Sequence, residues 1–140
     1  MRQRELTNVN PSLTECYQIV TMVINYLAIV KFYTMQAVNI NDITNREIVK
    51  GFNGKYYHAQ NLSIGCIDAA AGHTVPLHSH IHEQVSFVQE GKMLFIIEGE
   101  EFILEAGMAI TVAPNLKHGA TAITDCKLID VFNPVREDYK

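Results

Sequence analysis

Hydrophobic positions follow two different rhythms along this chain. Across residues 13–33 they recur at three- and four-residue steps, with Val20, Val23, Leu27 and Val30 in register, which predicts a helix. Ser12-Leu13-Thr14-Glu15 at its start has the form of a capping box. The β-branched content of the segment leaves a strand as the alternative. After Met35 the runs become short and alternating. Residues 56–67 predict one or two strands around Asn61, and residues 85–88, 92–97, 101–104, 109–112 and 127–132 predict further strands. Glu90-Gly91, Glu98-Gly99 and Glu105-Ala106-Gly107 supply the turns between them, and residues 39–45 look like loop. Short strands at this spacing predict an all-β sandwich or closed barrel.

Two parts follow: an N-terminal extension, residues 1–34, and a β domain, residues 35–140. Met35 offers an alternative start, which would make the first part an extension of the reading frame. If the extension is made, its apolar face needs the barrel or another subunit as cover. The apolar run 19–30 is too short to span a bilayer. Arg2 and Arg4 lie far upstream of it, Glu5 and Glu15 intervene, and no small-residue cleavage site follows, so a secretory signal is a poor fit. The chain has 140 residues, 48% of them hydrophobic, enough for one cored domain. A net charge of -4 with no basic block argues against a nucleic-acid surface. Cys16, Cys66 and Cys126 are far apart, which fits buried thiols in a reducing, cytoplasmic setting and excludes a zinc finger.

The chemistry concentrates in His78-Ser79-His80-Ile81-His82-Glu83-Gln84. On a strand, residues two apart share a face, so His78, His80 and Gln84 would point into one pocket. His118 is the candidate for a fourth ligand. Neutral imidazole is the commonest biological metal ligand, and the group predicts a divalent ion. Three histidines and an amide do not choose among Ni, Zn, Mn and Fe. His82 ranks behind His118, as a pocket-lining residue or an exposed one, and His58 and His73 are structural or surface residues. A neutral Gln84 leaves the ion's charge uncompensated, which suits an anionic ligand. In Leu128-Ile129-Asp130-Val131-Phe132 a carboxylate sits inside an apolar strand. Facing inward, Asp130 would be a proton carrier; the alternatives are a salt bridge to Arg136 or exposure. Arg136 can present its planar fork to a carboxylate.

Gly72, His78-Ser79-His80, Gln84 and Gly91, at these spacings, resemble the first cupin motif, which usually has Glu where Gln84 stands. Gly107 through His118 is similar to the second, with Ala113, Asn115 and Ala122 at positions where proline, glycine and asparagine are usual. The resemblance covers about residues 40–135 and implies a small double-stranded β-helix, or jelly-roll, barrel. His-Ser-His-x-His-Glu-Gln, followed by Leu-Ile-Asp-Val-Phe-x-Pro-x-Arg-Glu-Asp near the end, looks like the KdgF-type cupins of pectin degradation. That likeness implies ring opening of 4,5-unsaturated uronate monosaccharides, released by polysaccharide lyases, to linear 5-keto-4-deoxyuronate. It implies metal ligands at His78, His80, Gln84 and His118 and catalytic work at Asp130, Phe132 and Arg136. It also implies a small anionic sugar-acid substrate and a homodimer. A metal-dependent dioxygenase or oxalate-type enzyme, and a non-catalytic sugar-acid-binding cupin, are the alternative functions.

Overall fold

The computed structural model describes residues 12–32 and 37–140, with helical side chains described as far as residue 25. Its first element is a helix, α1 (Leu13–Phe32). The capping box forms: the Ser12 amide donates to Glu15 Oε2 at 2.7 Å, and the Glu15 amide donates to Ser12 Oγ at 3.3 Å. These bonds hold the Glu15 carboxyl below its usual range. Helical spacing therefore prevails over β-branching in this segment. Tyr33 and Met35, where the sequence reading placed the helix end and the alternative start, lie outside the described residues. No helix among the described residues is long and apolar enough to cross a membrane.

The second unit, Val38–Lys140, is all β apart from two short 3-10 turns, Ile40–Asp42 and Glu137–Tyr139. Its strands are β1 (Arg46–Val49), β2 (Phe52–His58), β3 (Ser63–Ala69), β4 (Thr74–His78), β5 (Glu83–Glu90), β6 (Lys92–Ile97), β7 (Glu100–Glu105), β8 (Ala109–Val112), β9 (His118–Ala122) and β10 (Cys126–Asn133). The split around Asn61 falls as expected, between β2 and β3. Strands β1, β4 and β9 carry no clear periodicity in the sequence. β1 and β4 are sheet edges, and β4 contains Pro76, which edge positions tolerate. β9 is built of Gly, Ala and Thr beside its histidine, too small to show an apolar pattern.

The strands form two antiparallel sheets, ordered β1-β2-β3-β10-β5-β8 and β4-β9-β6-β7. Their inner faces enclose Phe52, Ile67, Val88, Met93, Phe95 and Leu128, giving the jelly-roll barrel. Fully burying an apolar side chain contributes about 1.5–3 kcal/mol each, so this cluster is the main source of stability. Gly91 turns β5 into β6 at φ 87°, and a Cβ there would strike the Asp125 carbonyl oxygen and the Cys126 sulfur.

Strand register sets up the site. Along β10 the buried positions are Cys126, Leu128, Asp130 and Phe132, alternating with more exposed neighbours. β10 lies between β3 and β5, so Asp130 faces Gly65 on one side and Ser86 on the other, and Phe132 faces Ser63 and Gln84. On the far side of β3, Tyr56 is paired with Gly65 and His58 with Ser63. One inward row therefore runs Tyr56-Gly65-Asp130-Ser86 across four strands.

Candidate metal centre

His78, His80 and His118 offer ligand nitrogens within 4.8 Å of one another, at the end of the barrel where β4 and β9 meet. His78 pairs with His118 across the two strands, and their ring centroids are 4.4 Å apart. The cluster does not arise from one strand face, as the two-residue spacing suggested. His78 ends β4 in the four-stranded sheet, residues 79–82 cross between sheets, and Gln84 begins the inward face of β5 in the six-stranded sheet. The crossing, rather than strand parity, turns His80 back toward His118, at 4.8 Å between rings.

Each of the three rings has its tautomer set by the main chain. Nδ1 lies 2.9 Å from the Pro76 carbonyl in His78, 3.1 Å from the His82 carbonyl in His80, and 2.8 Å from the Leu116 carbonyl in His118. A carbonyl can only accept, so each Nδ1 carries the proton and each Nε2 presents its lone pair. His118 Nε2 is buried with no partner among the described residues. Burial first, then the Arg136 charge and His118, push His80 down to about 4; burial also lowers His118, so both rings stay neutral.

Gln84 completes the set. Its Nε2 donates to Ser86 Oγ at 2.9 Å and to Asp130 Oδ2 at 3.3 Å, which leaves Oε1 facing His80 Nε2 at 3.1 Å. That contact sets two lone pairs against each other, an arrangement a cation between them would relieve. About 3 Å is also the separation of neighbouring ligands each about 2.1 Å from one ion. The donor set thus fits a divalent metal. His82 is not part of it. Its ring is buried, its Nε2 donates to the Val135 carbonyl at 3.2 Å, and it packs on His80 at 5.3 Å. His58 also has a structural position, bridging Ser63 Oγ and the Tyr139 carbonyl.

The pocket beside these ligands holds about 610 Å³ of empty space, its open mouth included, a normal size for a small-molecule site. Asp130, Phe132 and Arg136 all line it. Asp130 is buried and makes no ion pair with Arg136. Burial raises its carboxyl to about 6, against the opposing pull of the Ser86 hydroxyl and the Arg136 charge. Asp130 Oδ1 has no partner among the described residues. Arg136 is buried too, but its fork is already engaged by Asp138. Its guanidinium lies over the Tyr139 ring at 4.0 Å and the Phe132 ring at 4.9 Å, and Nη1 has no partner among the described residues. The sequence expectation of a free planar fork is thus reduced to one available nitrogen.

Sequence reasoning missed Tyr56, Tyr139 and Asp138. Tyr56 and Tyr139 line the same pocket, with ring centroids 4.8 Å apart. The signal for Tyr56 was present in the small residues around it, Gly54 and Gly65, but only register reveals that they adjoin.

Residues 67–132 match the cupin domain family. Over 83 residues, 58% of this chain and 76% of the relative, the sequence is 35% identical to the pectin degradation protein KdgF of Dickeya dadantii (strain 3937). The structure of KdgF from a Halomonas species superposes with a TM-score of 0.71 at 27% identity, covering 76% of this chain and 100% of that one. An RmlC-like cupin from Shewanella frigidimarina superposes equally well, TM-score 0.71, at 30% identity over 76% of this chain and 97% of that one.

Proposed function

Because the chain belongs to the cupin family, among its KdgF-like members, we propose that it is a metal-dependent enzyme that opens the ring of 4,5-unsaturated uronate monosaccharides in pectin or other uronic-acid breakdown. The observation that carries this reading is the meeting of three groups in one pocket. These are the histidine cluster with Gln84, a buried carboxyl poised near 6 at Asp130, and Arg136 Nη1, which has no partner among the described residues. His78, His80, Gln84 and His118 would hold a divalent ion, which supplies Lewis-acid stabilisation of developing negative charge.

Ring opening is an isomerisation. The bond between the anomeric carbon and the ring oxygen breaks, and the anomeric hydroxyl loses its proton to become an aldehyde. The old ring oxygen becomes the C5 ketone, and C4 gains a proton. Asp130 carries that proton: as carboxylate it takes one from the anomeric hydroxyl, and as acid it returns one to C4. A carboxyl near 6 is suited to both halves at neutral pH. Arg136 Nη1 binds the substrate carboxylate by a charge-assisted bond. Phe132, buried between His80 and Arg136, forms an apolar wall that keeps water from the reacting carbons.

The test is incubation with the unsaturated galacturonate monomer, following loss of the conjugated double bond with metal-loaded and chelated protein. Metal-dependent loss supports the reading, and no loss in either sample rejects it. Equal turnover with and without oxygen separates it from a dioxygenase.

A further inference from the structure

The geometry points to Tyr56 as a substrate-binding residue whose hydroxyl holds a sugar oxygen at the floor of the pocket, opposite the metal ligands. This rests on the uronate reading of the same site but assigns a residue outside the set His78, His80, Gln84, His118, Asp130, Phe132 and Arg136.

The first observation is a cradle. Tyr56 lies on β2, and its ring is laid flat on the inner face of the sheet by two glycines. A Cβ on Gly54 would stand 2.6 Å from the Tyr56 hydroxyl, and a Cβ on Gly65 would stand 2.7 Å from Tyr56 Cε1. Both are closer than carbon and oxygen tolerate, so the ring occupies this place only because neither strand carries a side chain there. Glycine inside a strand weakens it and often marks close approach of another group. Here that group is the phenol.

The second observation is what the cradle faces. Gly65 lies between Tyr56 and Asp130 in the inward row, so no side chain separates the phenol from the carboxyl. Tyr56 shares the pocket wall with His78, Gln84, Asp130 and Arg136. Below it the wall is apolar, made by Phe52 and Ile67, against which its ring packs.

The third observation is the hydroxyl itself. Among the described residues it makes no hydrogen bond; Ser63 Oγ, on the neighbouring strand, is taken by His58 and the Arg136 amide. Burial raises its pKa well above the usual phenol range, so it stays a neutral donor. The hydroxyl is not fully buried, so it can be reached from the pocket that Tyr56 lines and is free to donate there. A ligand oxygen arriving in the pocket would satisfy it. Tyr139 packs against the ring at 4.8 Å and keeps it from swinging out.

The experiment compares wild type with Tyr56→Phe and Gly65→Ala, each loaded with metal. Tyr57→Phe, one residue along and so on the other face of β2, serves as control. Turnover of the unsaturated galacturonate monomer and calorimetric binding of saturated D-galacturonate are both measured, with metal content and melting temperature. Tyr56→Phe should raise KM and weaken galacturonate binding roughly fivefold to tenfold, the weight of one neutral hydrogen bond. Its kcat and metal content should stay within about twofold of wild type, since differential loss in KM marks ground-state binding. Gly65→Ala should weaken binding as well, because it lifts the ring from its cradle, and Tyr57→Phe should change neither. Unchanged KM and galacturonate affinity in Tyr56→Phe, or no galacturonate binding by either protein, overturns the assignment. Wild-type protein that binds galacturonate but fails to consume the unsaturated sugar rejects the reaction alone, and the affinities still judge Tyr56.

Discussion

Arg136 and Asp138, two residues apart, form a two-point ion pair: Nε lies 3.0 Å from Oδ1 and Nη2 lies 2.8 Å from Oδ2. With Tyr139 and Phe132 stacked on the guanidinium, the pair fixes which edge of Arg136 faces the pocket. If Arg136 binds the substrate as proposed, Asp138 is a positioning residue that acts through it. Asp138→Asn should raise KM for an anionic sugar about threefold to fivefold, the scale of an ion pair whose carboxylate is exposed to solvent. Its kcat should change by less than about twofold. The KM-against-kcat split is the check, because a general loss of folding would lower the active fraction and hence kcat.

Asp130→Asn tests the proton carrier. The amide keeps the shape and removes the titratable group. Metal content should be unchanged, while kcat should fall about 10²- to 10⁴-fold, the range for loss of a general acid–base group. Full activity in this variant would exclude the role.

Removing the ion, by chelation or by His118→Ala, should abolish turnover and lower the melting temperature. An ion present at 100 times its dissociation constant adds about 2.7 kcal/mol to folded-state stability. Thermal melts of loaded and chelated protein read this directly. The His118→Ala protein should show no gain on adding metal.

Gln84→Glu should keep the ion yet bind the sugar acid more weakly. A carboxylate there offsets the ion's charge and stands beside Asp130, now 3.3 Å from the Gln84 amide nitrogen. Two anions in contact repel, so the metal-free variant should melt below metal-free wild type, with the deficit shrinking when metal is added. A KM equal to wild type would show that charge balance at the ion does not govern substrate binding.

Met93, fully buried at the centre of the core, tests where stability resides. Met93→Ala should cost about 2–5 kcal/mol by transfer and cavity, read as a fall in the denaturant midpoint with an unchanged slope.

The barrel was legible in the sequence because turns and alternation are local. Glu90-Gly91 and Glu98-Gly99 mark real turns, and the alternation from Leu128 to Phe132 put Asp130 and Phe132 on one face, which the structure shows to be the inner one. Failures came where the information is not local. His78 and Gln84 belong to different sheets, so parity counting across them had no meaning. The Arg136–Asp138 pair competes with any longer-range partner for Arg136, and the sequence carries no measure of that competition. Tyr56 reaches the pocket through a register that joins Gly65 to Asp130, which no window of adjacent residues contains.

The three carbonyls of Pro76, His82 and Leu116 have a consequence for supply. They aim the imidazoles through the peptide backbone, so main-chain hydrogen bonds, rather than the identity of an ion, orient the ligand nitrogens. Nitrogen and amide donors bind several first-row metals, with affinity following the general order of those metals rather than a preference of the site. On the proposed metal-dependent reading, occupancy would follow the cell's trace-element economy. Protein produced in nickel-rich, zinc-rich or iron-rich growth medium is expected to carry different ions in one unaltered cage.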